Sequence, residues 1–93
     1  MPERTVVVGA HSGLHARPAA LFVKAAAGQP LPVRIRVGDG PSADSRSILA
    51  VLALRAEHGT EVTLQAEGPE AEQALDSLAE LLARDLDGEP SDV

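Results

Sequence analysis

Gly13-Leu14-His15-Ala16-Arg17-Pro18-Ala19-Ala20 sets a histidine immediately ahead of an alanine-rich, largely apolar run, Leu21 to Ala27, which Gly28 ends. Pro18 suits the first helical turn, where its missing N–H costs nothing and its fixed φ is already helical. The alanines and Leu21 are strong helix formers, so the stretch predicts a helix over about Ala16–Ala27. Ala19, Phe22, Val23 and Ala26 recur at i, i+3, i+4 and i+7, one face for packing on a sheet. Phe22 is the only aromatic residue of the chain and reads as core. His15 falls at or just before the N-cap, and Gly13 lets the chain turn sharply into it.

That position has a chemical meaning. The first N–H groups of a helix lack intrahelical partners and lie at the positive end of its dipole. Ser, Thr, Asp or Asn usually caps them, whereas here the cap positions hold His15 and Ala16. An anion on the His15 ring would meet those free donors, including the Ala16 N–H, with the Arg17 guanidinium near enough to pair with it. A neutral imidazole is also a competent nucleophile near neutral pH. The pieces suit a histidine that accepts and returns a phosphoryl group. They suit equally an ordinary cap histidine beside a solvated arginine, and physical chemistry alone leaves both open.

Ninety-three residues make one domain with a single modest core. No cysteine is present, so there is no disulfide frame, thiolate metal site or cysteine nucleophile. The start, Met1-Pro2-Glu3-Arg4, is not followed by a long apolar run, and Ile48–Leu54 is far too short to cross a bilayer. A cytoplasmic protein without membrane insertion is expected. A net charge of −6 argues against nucleic acid. Residues 1–56 hold seven basic side chains against three acidic ones, while residues 57–93 hold only Arg84 against eleven acidic ones. Either this polarity steers acidic partner surfaces toward His15, or the charge is simply spread for solubility.

Outward from the histidine stretch, Thr5 to Val8 is a short β-branched strand, and Gly9 opens the loop that carries the site. Ser12 in that loop can donate to a phosphate on His15 or merely stabilise the turn. A metal site of His11 with His15 lacks the carboxylate or cysteine that would complete it, so no metal is expected. Val33-Arg34-Ile35-Arg36-Val37 alternates strictly as a strand, and Gly38-Asp39-Gly40 turns into a weak return strand, Pro41 to Asp44. Ser47 reads as the N-cap of a short helix over Ile48–Leu54 with His58-Gly59 as its exit, although periodicity leaves a buried strand open. Thr60 to Glu67 alternates as a fourth strand. Gly68-Pro69-Glu70 opens a last helix, with Pro near N1 and Ala71, Ala74, Leu75, Leu78, Leu81 and Leu82 as its stripe. The domain is expected over 1–88, with residues 89–93 a frayed acidic tail. The order β-α-β-β-α-β-α, with alternating strands, points to an antiparallel sheet whose one face is wet and whose other face carries the helices.

The octapeptide Gly-Leu-His-Ala-Arg-Pro-Ala-Ala resembles the phosphorylation-site motif of HPr, the histidine-containing phosphocarrier family of the bacterial sugar phosphotransferase system. The likeness extends over nearly the whole chain in length and element order. It implies an α+β open-faced sandwich, a four-stranded antiparallel sheet with three helices on one face. It implies His15 as the phosphorylated residue, through its pros nitrogen Nδ1, and Arg17 as the phosphate-binding neighbour. The implied partners are enzyme I as donor and sugar-specific IIA domains as acceptors, with the chain a monomeric protein substrate more than a stand-alone catalyst. No cofactor is expected, because no Gly-rich phosphate loop or acidic metal cluster is present. Ser45-Arg46-Ser47 and the apolar run after it resemble the family's second signature, in which a serine can be the target of a regulatory kinase. Ser47 matches that serine, while Ala50 stands where Gly is usual and Arg46 where Lys is common. Ile48, Leu49 and Leu52 are candidates for the apolar part of a docking surface. Two other roles stay open: a carrier in a nitrogen-linked or dihydroxyacetone branch of the same system, and a regulatory binding module acting through Ser47.

Overall fold

The computed structural model describes residues 2–84. Four strands, β1 (Glu3–Val7), β2 (Arg34–Val37), β3 (Ala43–Asp44) and β4 (Glu61–Gln65), alternate with three helices, α1 (Ala16–Ala27), α2 (Ile48–Ala53) and α3 (Ala71–Ala83). The strands form one sheet in the order β1-β4-β2-β3, and every neighbouring pair is antiparallel. This is the open-faced α+β sandwich expected, with all three helices on one face.

The period-two pattern explains which face they cover. Ile35 lies opposite Leu64, and Val37 and Val6 lie opposite Val62. Those side chains point to the helices, and Ile35, Val62 and Leu64 are fully buried. The intervening positions form the wet face, where Thr5 faces Thr63 with their hydroxyls 3.2 Å apart and Arg36 approaches Glu3 at 3.7 Å. From the helix layer, Ala19, Phe22 and Ala26 of α1, Val51 of α2, and Leu75, Leu78 and Leu82 of α3 close the core. Burying Phe22 completely contributes about 1.5–3 kcal/mol. Arg4 on edge strand β1 reaches α3 and binds Glu72 and, at 2.8 Å, Asp76. These carboxylates hold its guanidinium pKa above the usual arginine value.

Several boundaries differ from expectation, each for a local reason. β1 begins at Glu3 because Glu3 pairs with Gln65 and Arg4 with Leu64; Val8 leaves the ladder and donates to Thr60 O at 2.9 Å. β3 shrinks to two residues, since Pro41 has no donor to give and Arg34 takes up Ser42 through both its hydroxyl and its carbonyl. The second helix ends well before His58: its C-cap is Leu54, and Arg55 turns the chain out at φ 53°. Pro69 precedes the N-cap of α3, which is Glu70, so it does not occupy N1. Val23 and Leu81 are half-buried at the margin of the core. The expected boundary at residue 88 and the tail 89–93 lie outside the described residues.

Candidate functional site

The loop between β1 and α1 is held near both its ends by backbone contacts. Gly9 N–H donates to Leu82 O at 2.9 Å, and the loop packs so tightly on α3 there that a Cβ on Gly9 would lie 2.1 Å from Ala83 O. Ala10 O accepts from Gly13 N–H at 2.9 Å, and Leu14 N–H donates to Ala56 O at 2.8 Å. Gly13, at φ 79°, lies so close to residues 56 and 57 that a Cβ would come within 2.5 Å of Ala56 O. Leu14 is fully buried and anchors the loop in the core. Backbone hydrogen bonds, two close glycine contacts and the buried Leu14 side chain together set where the next residue goes. His15 is placed by the loop before it, not by a bond from its own side chain.

His15 is the N-cap of α1, extended at φ −129° and ψ 163°, and its side chain makes no capping bond. Its ring is half-exposed. The first helical turn bond, Ala19 N–H to His15 O, is long at 3.4 Å. Pro18 has no N–H, and no acceptor is found among the described residues for the Ala16 or Arg17 N–H. Ala16 itself adopts φ 46°, a left-handed conformation that stores about 1–3 kcal/mol in a residue with a Cβ. Arg17 is exposed in the first turn and forms no ion pair among the described residues. Open backbone donors, a helix dipole and an unengaged guanidinium thus stand beside an accessible imidazole, an arrangement that favours an anion attached to that ring.

The other expected residues are placed as follows. Ser12 is exposed on the loop. Ser47 caps α2, its hydroxyl accepting from Ala50 N–H at 3.2 Å. Ile48 and Leu49 are 37% and 77% exposed, whereas Leu52 is half-buried against the core. α2 packs directly against α1, so the exposed apolar pair and the histidine belong to neighbouring elements of the same layer. Among the described residues no group of three or more His, Cys, Asp or Glu could hold a metal ion, and no helix is long and apolar enough to cross a membrane.

Two features had no sequence signal strong enough to find them. The left-handed Ala16 is one, since nothing in an alanine announces a positive φ. The second is His58, read as a helix-exit residue without a function, which places Nδ1 3.2 Å from Ala10 O at the base of the loop.

A family model described as "PTS HPr component phosphorylation site" matches residues 2–84. The chain is 46% identical over 93 residues to the phosphocarrier protein HPr of Streptomyces coelicolor, covering all of both chains. It is 39% identical over 82 residues to the phosphocarrier protein HPr of Vibrio cholerae, covering 88% of this chain and 95% of that one. Among solved structures, the phosphocarrier protein HPr of Bacillus anthracis superposes with a TM-score of 0.82 at 36% identity, over 87% of this chain and 95% of that one.

Proposed function

The chain belongs to the HPr family and is a phosphocarrier of the phosphotransferase system, and from that premise we propose that His15 is the residue that carries the phosphoryl group. The observation behind this is the uncapped N-terminus of α1, with His15 itself in the cap position and Arg17 in the first turn. A ring nitrogen of His15, Nδ1 by family resemblance, supplies the electron pair to phosphorus. The donor's bond to phosphorus breaks and the donor recovers that pair, so the transfer is balanced without a nucleotide or metal. The Ala16 and Arg17 N–H groups and the Arg17 guanidinium then face the phosphoryl oxygens, and Ser12 is close by on the loop. Because these groups are exposed, they stabilise the phosphorylated state without trapping it. Onward transfer stays accessible.

Enzyme I is the proposed donor and IIA domains are the proposed acceptors, working with a monomeric chain in the cytoplasm. Ile48, Leu49 and the accessible edge of Leu52 supply the apolar part of the docking surface, and Arg17 and Lys24 its basic part. Ser47 is chiefly a cap; a kinase acting there would have to take its oxygen from the Ala50 N–H.

Incubation with enzyme I and phosphoenolpyruvate, read by intact mass, tests the assignment. One added phosphoryl group, lost in acid and absent from His15→Ala, is the expected result. Equal phosphorylation of His15→Ala would remove His15 from this role.

A further inference from the structure

The phosphoryl site uses one of the three histidines, and the structure brings the other two together. The His11 and His58 rings lie 5.4 Å apart between centroids and are tilted by 40°, although 46 residues separate them in sequence. Both are exposed. Sequence reasoning considered His11 only with His15; the fold pairs it with His58 instead.

We propose that His11 and His58 form a two-imidazole surface site for a divalent transition-metal ion of the zinc type, with water completing the coordination. Three observations carry the proposal. Metal–nitrogen bonds of about 2.0–2.1 Å in tetrahedral geometry put two imidazole centroids roughly 5 Å apart, and the observed separation of 5.4 Å is close to that spacing. His58 Nδ1 lies 3.2 Å from Ala10 O, and a carbonyl can only accept, so Nδ1 carries the proton and Nε2 keeps its lone pair. That is the carbonyl–histidine arrangement by which proteins orient a ligating ring. The backbone around both rings is also held: Gly13 N–H on Ala10 O at 2.9 Å closes the turn that carries His11, and Gly59 N–H on Val8 O and Leu14 N–H on Ala56 O, at 3.0 and 2.8 Å, tie the two segments together. The pair is therefore presented by fixed backbone on a chain of net charge −6, which attracts cations. His11 needs only one of its two ring nitrogens for the ion. Two nitrogen ligands make a weaker site than a closed structural one, so it would load and unload with metal availability. An occupied site would tie residue 11 of the phosphorylation loop to residue 58.

Isothermal titration of the full chain with zinc chloride, in a non-chelating buffer near pH 7.5, tests this. The expected result is saturable binding of one ion, retained in His15→Ala and weakened in both His11→Ala and His58→Ala. Losing an outer partner of a ligand alone costs roughly 10–100-fold in affinity, so loss of a ligand should cost at least as much. Because His58→Ala also removes the bond to Ala10, imidazole NMR of the unaltered chain gives a second readout. Zinc should move the ring signals of His11 and His58 together and leave those of His15 in place. Absence of saturable binding, binding unchanged in either His11→Ala or His58→Ala, or a zinc response centred on His15 would each overturn the proposal.

Discussion

At the scale of single residues, the site depends on backbone conformations that side chains do not choose. Gly13 has both a left-handed φ of 79° and the Ala56 carbonyl where a Cβ would go. Gly13→Ala should therefore cost more than the roughly 1–2 kcal/mol of a left-handed alanine. Thermal or urea unfolding would measure that loss, and a stability within error of the unaltered chain would show the loop to be looser than described. Ala16 is left-handed as well, at φ 46°, three residues from the glycine and next to the histidine. The octapeptide made His15 and Arg17 readable, because a proline fixes the start of a helix and the positions before it carry no ordinary cap. Ala16's φ was not readable, since an alanine does not announce it, and the His58 contact to Ala10 was not readable because it arises from tertiary approach of the 56–59 segment. Local sequence contains no trace of that approach.

At the scale of elements, legibility follows burial. α1, β2 and α3 were plain because each presents one apolar face to the same core, and the pattern of side chains records that face. β3 was weakly marked and proved to be two residues, held as much by Arg34 reaching Ser42 as by its own ladder. The second helix was ambiguous as an apolar run. Ser47 resolved it, through a hydroxyl that accepts Ala50 N–H where a strand would offer no such donor. Ser47→Ala should therefore cost about 1 kcal/mol of stability, within the usual 0.5–2 kcal/mol for a lost cap. Chemical denaturation reads this directly. A neutral substitution would mean that packing of Val51 alone holds α2. The same measurement bears on regulation, because modification of this oxygen would remove the same bond.

At the scale of the whole molecule, charge is distributed differently in space than in sequence. The basic first half does not form one basic face: Arg34 and Arg36 lie on the wet side of the sheet, away from the helices, and Arg4 is taken up by Glu72 and Asp76 on α3. Arg17 and Lys24, both exposed on α1, remain on the side of His15. These are the charges that a steering role would use. Arg17→Glu with Lys24→Glu should slow association with enzyme I at low salt and by less at high salt. An unchanged association rate would return these charges to a role in solubility.

The most direct test of the account is a chase. The chain is loaded with labelled phosphoryl from phosphoenolpyruvate through enzyme I, freed of donor and mixed with a IIA domain. Disappearance of label from this chain as it appears on the IIA domain, with no loading at all in His15→Ala, is the predicted result. Label that stays on the chain, or that loads onto His15→Ala, would contradict a shuttle built on His15.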